Sequence, residues 1–321
     1  MISKEVLLHE SKKNHYKPEI LEKVYRLLTA LDQFMSVPYL RERLVLKGGT
    51  ALNLFYFNQV PRLSVDIDLN YIGQLDRNAM LQERPIINDS IQRIFQQNQF
   101  ELDRHPTHHA GGKMVWRYPS LLGQKGNLEI DLNYMYRQPL WPIKWLVPNI
   151  SFGNENKVPV LDIHELAAGK LSALFSRHAS RDLFDAHYLL TKCELELKKL
   201  RIAFVTYLAM TDIPLTHLKP EYIDSNIFDI RNRLFPVLRQ KELPRAQKDL
   251  KKWANQILDE LHEALLMVIP LKKTEIDFIL KIRESSEIKP ELLTDNPKLL
   301  KIIQFHPAIH WAVTKKTKTG K

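Results

Sequence analysis

Two short stretches in which acidic and aliphatic residues alternate are the part of this sequence best suited to chemistry. One of them, VDIDL, contains Asp66 and Asp68, and the other, LEIDL, contains Glu129 and Asp131. Side chains at i and i+2 of a β-strand point to the same face, so each acidic pair projects together while its aliphatic neighbours face the core. Because two like charges this close repel each other, a fold tolerates them mainly where a cation lies between them.

These carboxylates predict a magnesium site if the two strands are neighbours, since Asp131 then joins Asp66 and Asp68. Three carboxylates directed at one point are what two Mg²⁺ ions need for an in-line phosphoryl displacement. One ion would activate an attacking hydroxyl, and the other would hold a nucleoside triphosphate (NTP) and its departing pyrophosphate. Ser64 lies on the strand face of Asp66 and is expected to support the metal or the phosphate. For Asp66 and Asp68 alone, the competing interpretation is an exposed strand face with two solvated aspartates.

A pair of adjacent glycines precedes the first acidic stretch. Gly48 and Gly49 follow a short apolar stretch, and Thr50 stands where the N-cap of a helix would be. Glycines let the backbone turn sharply and approach a ligand closely, and the start of a helix offers unpaired N–H groups to a phosphate. The turn therefore predicts a phosphate contact with the Thr50 hydroxyl as a further donor, although most strand–glycine–helix turns are structural.

The elements that must position these residues alternate between helix and strand. Helices are predicted over residues 1–35, because apolar side chains recur there at three- and four-residue spacing. A strand over 43–47, a strand that carries Asp66 and Asp68 and a polar helix over about 76–99 follow. Three further candidate strands come next, in an order typical of consecutive hairpins.

The character of the chain changes near residue 160, where strand-like alternation gives way to a series of helical stretches. The fold class predicted is α+β, with a small mixed-sheet domain followed by a mostly helical C-terminal domain. The expected organisation is an N-terminal helical segment, a mixed-sheet core, a helical domain and a basic tail, over residues 1–35, 36–160, 161–312 and 313–321.

Composition narrows the classes of protein that this chain can represent. It has 321 residues, 44% of them hydrophobic, and a formal net charge of +10 that favours encounter with polyanions such as nucleic acid. A single cysteine, Cys193, rules out an internal disulfide framework and fits a reducing cytoplasm. We expect a cytoplasmic protein without a membrane segment. His105, His108 and His109 lie close together, but no cysteine or HExxH pattern accompanies them, so a polar loop is favoured over a zinc site.

Five motifs occur in a fixed order between residues 47 and 185. They read KGGTAL, RLSVDIDL, EIDLN, LAAGKLSAL and RDLFD. In sequence and order they resemble the motifs of the AbiEii/AbiGii-type toxins, which belong to the DNA polymerase beta-like nucleotidyltransferase superfamily. The long helical remainder is similar only in general character. One departure is Gly169, where the family often has glutamate.

The resemblance implies that the mixed-sheet domain is a nucleotidyltransferase core. It also implies a role for each of the five motifs. The metal ligands would be Asp66, Asp68 and Asp131; the catalytic residues would be these three aspartates and Lys170; and the nucleotide-binding residues would be Gly48, Gly49, Thr50, Ser64, Lys170, Asp182 and Asp185.

The resemblance also implies a function. It is Mg²⁺-dependent transfer of a nucleoside monophosphate from an NTP to an acceptor hydroxyl, with release of pyrophosphate and with the 3′ end of an RNA, above all tRNA, as acceptor. A role as the toxin of a toxin–antitoxin or phage-defence system, beside a DNA-binding antitoxin, comes with the family. Two other functions stay open on the residues alone. A phosphotransferase of the kinase type could use the same carboxylates and glycines, and a non-catalytic nucleotide- or RNA-binding module fits the basic charge; a metal-dependent nuclease is a weaker third.

Overall fold

The chain forms two compact units. The computed structural model describes residues 2–104, 111–150, 152–153, 156–240, 243–244 and 247–319. The first unit consists of Met1–Arg137, Ile143–Leu161 and Phe235–Leu243, and the second of Gln138–Pro142, Asp162–Leu234 and Pro244–Lys321. Each unit is therefore assembled from separate stretches of sequence.

The first unit contains seven strands and five helices in its described residues. The helices are α1 (Lys4–Asn14), α2 (Pro18–Ser36), α3 (Pro38–Arg41), α4 (Gly48–Thr50, continued by a π-helical turn over Ala51–Tyr56) and α5 (Arg77–Gln97). The strands are β1 (Leu44–Lys47), β2 (Asp66–Tyr71), β3 (Glu101–Arg104), β4 (Gly111–Pro119), β5 (Lys125–Asn133), β6 (Lys144–Leu146) and β7 (Val158–Val160).

The seven strands form one mixed sheet in the order β3-β4-β5-β2-β1-β7-β6. β3, β4 and β5 are antiparallel neighbours, as the hairpin-like spacing predicts, and β1 is antiparallel to β2. β5, however, also lies parallel to β2, and β7 lies parallel to β1. At the centre of the sheet, where the two acidic stretches meet, the pairing is therefore parallel, which consecutive hairpins alone would not give.

One face of the sheet is apolar and carries the core of the first unit. Ile67 and Ile130, which are paired across β2 and β5, are fully buried. The rings of Phe34 on α2 and Trp116 on β4 both lie against Phe95 of α5, with centroids 6.0 and 4.8 Å from it, so α2 and α5 cover this face. Burial of each such side chain stabilises the fold by about 1.5–3 kcal/mol. The apolar residues therefore occupy this face, and the acidic residues that alternate with them lie on the other.

A buried ion pair joins the β4–β5 hairpin to α2. Glu22 accepts hydrogen bonds from the Ser120 hydroxyl (2.6 Å) and the Leu121 N–H (3.0 Å), and Arg26 donates to the Pro119 carbonyl (3.0 Å). Because an unpaired carboxylate is costly to bury, these contacts hold the hairpin in one position. The hairpin in turn positions the strand that carries Asp131.

Residues 235–240 return to the first unit and support the segment that leads into β2. The Leu63 N–H donates to the Val237 carbonyl (2.8 Å), and Arg62 forms an isolated bridge with Leu238. Arg62 is buried and donates to the Leu63 carbonyl (3.0 Å). The chain that precedes Asp66 is therefore held by residues distant in sequence.

The second unit is helical in its described residues. Its helices are α6 (Ile163–Arg177), α7 (Ser180–Lys192), α8 (Leu197–Ala209), α9 (Ile227–Asp229, continued by a π-helical turn over Ile230–Leu234), α10 (Gln247–Leu265), α11 (Lys273–Leu280, continued over Lys281–Ser285), α12 (Pro297–Gln304) and α13 (Pro307–Thr319). α6 packs against α7 and α8, and α7 packs against α10. None of the helices in the described part of the chain is both long and apolar enough to cross a membrane.

A buried carboxyl group on α6 ties residues 138–142 to the second unit. Glu165 accepts hydrogen bonds from the N–H groups of Leu140 (2.8 Å) and Trp141 (3.1 Å) and from the Tyr207 hydroxyl (3.1 Å). Burial disfavours the charged form more than these donors favour it, and it raises the pKa of Glu165 to about 8.

This shift predicts that Glu165 makes stability depend on pH. Below pH ~4.5 the carboxyl is protonated in both the folded and the unfolded chain, and above pH ~8 it is ionised in both, so its contribution is constant there. Between these values only the folded chain keeps the proton, so the free energy of unfolding falls as pH rises, by up to about 5 kcal/mol. Urea unfolding from pH 5 to 8 measures this slope.

Glu165→Gln keeps the acceptor and cannot ionise, so its unfolding free energy should fall less with pH than that of the wild type. Glu263→Gln, on the exposed side of α10, is the matched control and should keep the wild-type slope. Equal slopes in Glu165→Gln and the wild type would show that Glu165 titrates normally.

Candidate active site

The parallel pairing of β2 with β5 brings the two acidic stretches together. Asp66 lies directly opposite Glu129, and Asp68 lies directly opposite Asp131. Neighbouring strands are about 4.8 Å apart, and residues opposite each other point to the same face. We call these four residues the carboxylate block. All four are partly exposed, on the sheet face opposite the apolar core.

Two lysines flank the carboxylate block in the same cross-strand row. Lys47 on β1 lies opposite Asp68, and Lys113 on β4 lies opposite Asp131, so one row reads lysine, aspartate, aspartate, lysine over four adjacent strands. Opposite charges directly across a sheet stabilise it, and this order limits the repulsion at the centre of the row.

Lys113 reaches diagonally to the fourth carboxylate. Its Nζ lies 2.6 Å from Oε2 of Glu129. This hydrogen bond, together with the negative charges of Glu129, Asp66 and Asp68, outweighs partial burial and raises the pKa of Lys113. The sequence did not single out Lys113, because its position becomes meaningful only once the register between β4 and β5 is known.

Gly48 is packed against the Asp68 carboxylate. Its φ of +72° lies in the left-handed region, and a Cβ on Gly48 would lie 2.2 Å from Oδ2 of Asp68. Only glycine fits both the conformation and the space. The absence of a side chain leaves the backbone at the end of β1 directly beside Asp68.

Thr50 has a different local role from the one that its position in the sequence suggests. The helix begins at Gly48 with Lys47 as its N-cap, so the expectation of an N-cap at Thr50 is wrong. Thr50 is fully buried, and its hydroxyl donates to the backbone carbonyl of Asp66. The hydroxyl hydrogen thus holds β2 in place. Ser64 is also buried, but β2 begins only at Asp66, so Ser64 lies outside the strand on which it was expected.

Lys170, Asp182 and Asp185 lie together in the second unit. Nζ of Lys170 lies 2.9 Å from Oδ1 of Asp182 and 2.8 Å from Oδ2 of Asp185, and Nε of Arg177 lies 2.6 Å from Oδ2 of Asp182. All but Arg177 are buried. Burial alone would raise the pKa of Asp182, but the charge of Lys170 and the hydrogen bond from Arg177 hold it below its usual range.

The donor chemistry of the carboxylate block suits a hard divalent cation. Carboxylate oxygens are the ligands that Mg²⁺ prefers, and the four side chains of the block are partly exposed. In the structure as it stands, no three His, Cys, Asp or Glu side chains among the described residues converge tightly enough to hold a metal ion. His105, His108 and His109 lie outside the described residues.

Comparison with known proteins identifies the class and the family of this chain. The profile described as "Nucleotidyl transferase AbiEii toxin, Type IV TA system" matches residues 29–274, about three quarters of the chain. The chain belongs to the AbiEii nucleotidyltransferase toxin family and is a nucleotidyltransferase. The resemblance seen in the five motifs is therefore confirmed.

A solved structure supports the fold. The chain is similar to MenT4, a nucleotidyltransferase toxin from Mycobacterium tuberculosis, with a TM-score of 0.65 and 15% sequence identity over 95% of this chain and 100% of that one. At this identity the likeness concerns the fold, and it confirms the predicted α+β class. Comparison with curated protein sequences gives no match.

The environment of Gly48 predicts that Gly48→Ala damages the site. The Cβ would collide with the Asp68 carboxylate and the left-handed backbone would be strained, so we expect a loss of about 1–3 kcal/mol in the free energy of unfolding. Gly169→Ala is the matched control. Its Cβ would meet nothing within 4 Å, inside helix α6, so it should stabilise the chain by about 0.5–1 kcal/mol. Urea unfolding of both variants measures this, and a neutral Gly48→Ala would contradict the packing described.

The buried position of Lys170 predicts a large effect of its removal on stability. Lys170→Ala leaves two buried aspartates without their shared counter-charge, which should cost about 3–5 kcal/mol. Arg177→Ala breaks an ion pair with Asp182 whose arginine side chain is 63% exposed, so it should cost about 1 kcal/mol or less. Adding Asp185→Asn to Lys170→Ala should restore part of the loss. Equal losses for Lys170→Ala and Arg177→Ala, measured by urea unfolding, would refute this assignment.

Proposed function

We propose that this nucleotidyltransferase uses Mg²⁺ and transfers a nucleoside monophosphate from an NTP to the 3′ hydroxyl of an RNA, with tRNA as the preferred acceptor. The observation that carries the proposal is the register of β2 and β5, which aligns Asp66, Asp68 and Asp131 on one face of the sheet, with Gly48 packed against the Asp68 carboxylate. Membership of the family supports an NTP as the donor.

The triphosphate is proposed to lie against the turn at Gly48 and Gly49. Gly48 and Gly49 add no side chain of their own to this turn, and Thr50 contributes through its backbone and by holding β2. Ser64, close before Asp66, is proposed to support the same phosphates. Lys47, at the end of β1, adds a positive charge in the row of Asp68.

The chemistry requires a proton acceptor for the incoming hydroxyl. Asp131, which lies opposite Asp68, is proposed to take that proton as the hydroxyl oxygen bonds to the α-phosphorus. The bond from the α-phosphorus to the bridging oxygen breaks, and pyrophosphate leaves. Mg²⁺ held by Asp66, Asp68 and Asp131 would neutralise the charge that develops on the phosphates.

Lys170, with its partners Asp182 and Asp185 in the second unit, is proposed to contact the nucleotide. In the structure the Lys170 ammonium lies between the carboxylates of Asp182 and Asp185. Contact with a phosphate therefore requires Lys170 to exchange one carboxylate for a phosphate oxygen. The two aspartates hold the lysine in position until then.

The biological setting is proposed from the family and the charge of the chain. A formal net charge of +10 favours encounter with an RNA acceptor. Family membership supports a toxin that a cognate antitoxin neutralises. We propose that this antitoxin is a DNA-binding protein, that the toxin acts in the cytoplasm and that the pair serves in phage defence.

The proposal predicts that Asp66→Asn and Asp68→Asn abolish transfer while the fold stays intact. Purified protein is incubated with each α-³²P-labelled NTP, Mg²⁺ and total tRNA and then resolved on a denaturing gel. Label should move into RNA with the wild type and fall at least about a hundredfold in both variants, because a metal site is worth several kcal/mol to the transition state.

Asp103→Asn is the matched control, since Asp103 is a partly exposed aspartate of the same sheet whose partner is Arg117. It should keep wild-type transfer. Full turnover in both Asp66→Asn and Asp68→Asn would refute the site. Transfer of γ-label with release of a nucleoside diphosphate would instead identify a phosphotransferase.

A further inference from the structure

The fourth residue of the carboxylate block, Glu129, has no role in the proposed reaction. It lies opposite Asp66 on the adjacent strand, at about the same spacing that separates Asp68 from Asp131. Its carboxylate is tied to the ammonium of Lys113 at 2.6 Å. The side chains of Lys113 and Glu129 are 54% and 34% exposed, so the ion pair is accessible to ions from solution.

Lys113 places a positive charge beside the block in the free protein. Its backbone lies opposite Asp131, its side chain reaches Glu129, and the negative charges of Asp66 and Asp68 also act on it. A divalent cation at the block and the ammonium of Lys113 are therefore attracted by the same carboxylates and repel each other. Each lowers the affinity of the block for the other.

The same sheet contains a second lysine–glutamate pair that serves as a reference. Lys125 and Glu101 are 3.3 Å apart, with side chains 67% and 74% exposed. Lys125 stands six residues before Asp131 on β5, which corresponds to roughly 20 Å along the strand. Loss of this pair removes a similar charge and a similar contact, but too far away to change the electrostatic potential at the carboxylate block.

On the basis of the proposed function, we propose that Lys113 is a positioning residue that holds Glu129 away from Asp66 and lowers the affinity of the carboxylate block for a free divalent cation. Lys113 neutralises one of the four carboxylates and adds a positive charge nearby, and both effects lower the affinity of the block for a divalent cation. The three aspartates are then left as the ligands that a cation meets when it arrives with the phosphates of a nucleotide.

The test is the binding of Mn²⁺ alone, without nucleotide, measured from the electron paramagnetic resonance signal of the free ion. Lys113→Met keeps the aliphatic stem and removes the charge, so it should tighten Mn²⁺ binding on the order of tenfold. Lys125→Met should stay within about twofold of the wild type. Thermal melting confirms that both variants are folded.

A second pair of variants separates the charge of Lys113 from its packing. Glu129→Gln removes a negative charge and leaves Lys113 beside the aspartates, so it should weaken Mn²⁺ binding. Lys113→Met combined with Glu129→Gln removes both charges and should return the affinity close to that of the wild type. A merely structural lysine would not give opposite effects for the two single variants.

Unchanged or weaker Mn²⁺ binding in folded Lys113→Met overturns the inference. If the wild type binds Mn²⁺ and loses it with Asp66→Asn while Lys113→Met is unchanged, the inference fails and the metal site of the proposed function stands. If neither the wild type nor Lys113→Met binds Mn²⁺ with saturation, the inference fails, and the transfer assay with Asp66→Asn and Asp68→Asn decides the proposed function separately. Saturable binding in Lys113→Met that the wild type lacks supports both.

Discussion

The register between the parallel strands β2 and β5 is the constraint on which the rest of the proposed active site depends. A shift of one residue would turn every side chain of a strand to the other face, so the acidic residues would enter the core. The shift is prevented because Ile67 and Ile130 are opposite each other and fully buried. Burial of aliphatic side chains on one face thus aligns Asp66 with Glu129 and Asp68 with Asp131 on the other. Hydrophobic packing, more than any polar contact, gathers the carboxylates.

The two units handle buried or crowded charge in different ways. In the first unit the carboxylates stay partly exposed, and lysines on the neighbouring strands offset them in a cross-strand row. In the second unit Lys170 is buried between Asp182 and Asp185, and ion pairing offsets the cost of burial. The first arrangement leaves oxygens accessible to a cation, whereas the second fixes a lysine. The Asp68 carboxylate packs against the backbone of Gly48, in the space that a side chain at position 48 would fill.

Much of this organisation follows from sequence patterns, and the exceptions share one physical cause. Alternation predicted the acidic strands, three- and four-residue spacing predicted α2, and the loss of alternation after residue 160 predicted the helical second part. The parallel pairing of β2 and β5, the return of residues 235–240 to the first unit and the ion pair of Lys113 with Glu129 all depend on contacts distant in sequence. Thr50 was misread as an N-cap because its hydroxyl is used by the Asp66 carbonyl, which local sequence does not reveal.

The central claim is that the aspartates aligned by β2 and β5 bind the cation that serves nucleotidyl transfer. Anomalous diffraction from crystals grown with Mn²⁺ and a non-hydrolysable NTP analogue tests it most directly. The account predicts an anomalous peak in contact with the carboxylates of Asp66, Asp68 and Asp131, with the triphosphate against the backbone of Gly48 and Gly49. A nucleotide bound elsewhere, or a peak that touches none of the three aspartates, would contradict it.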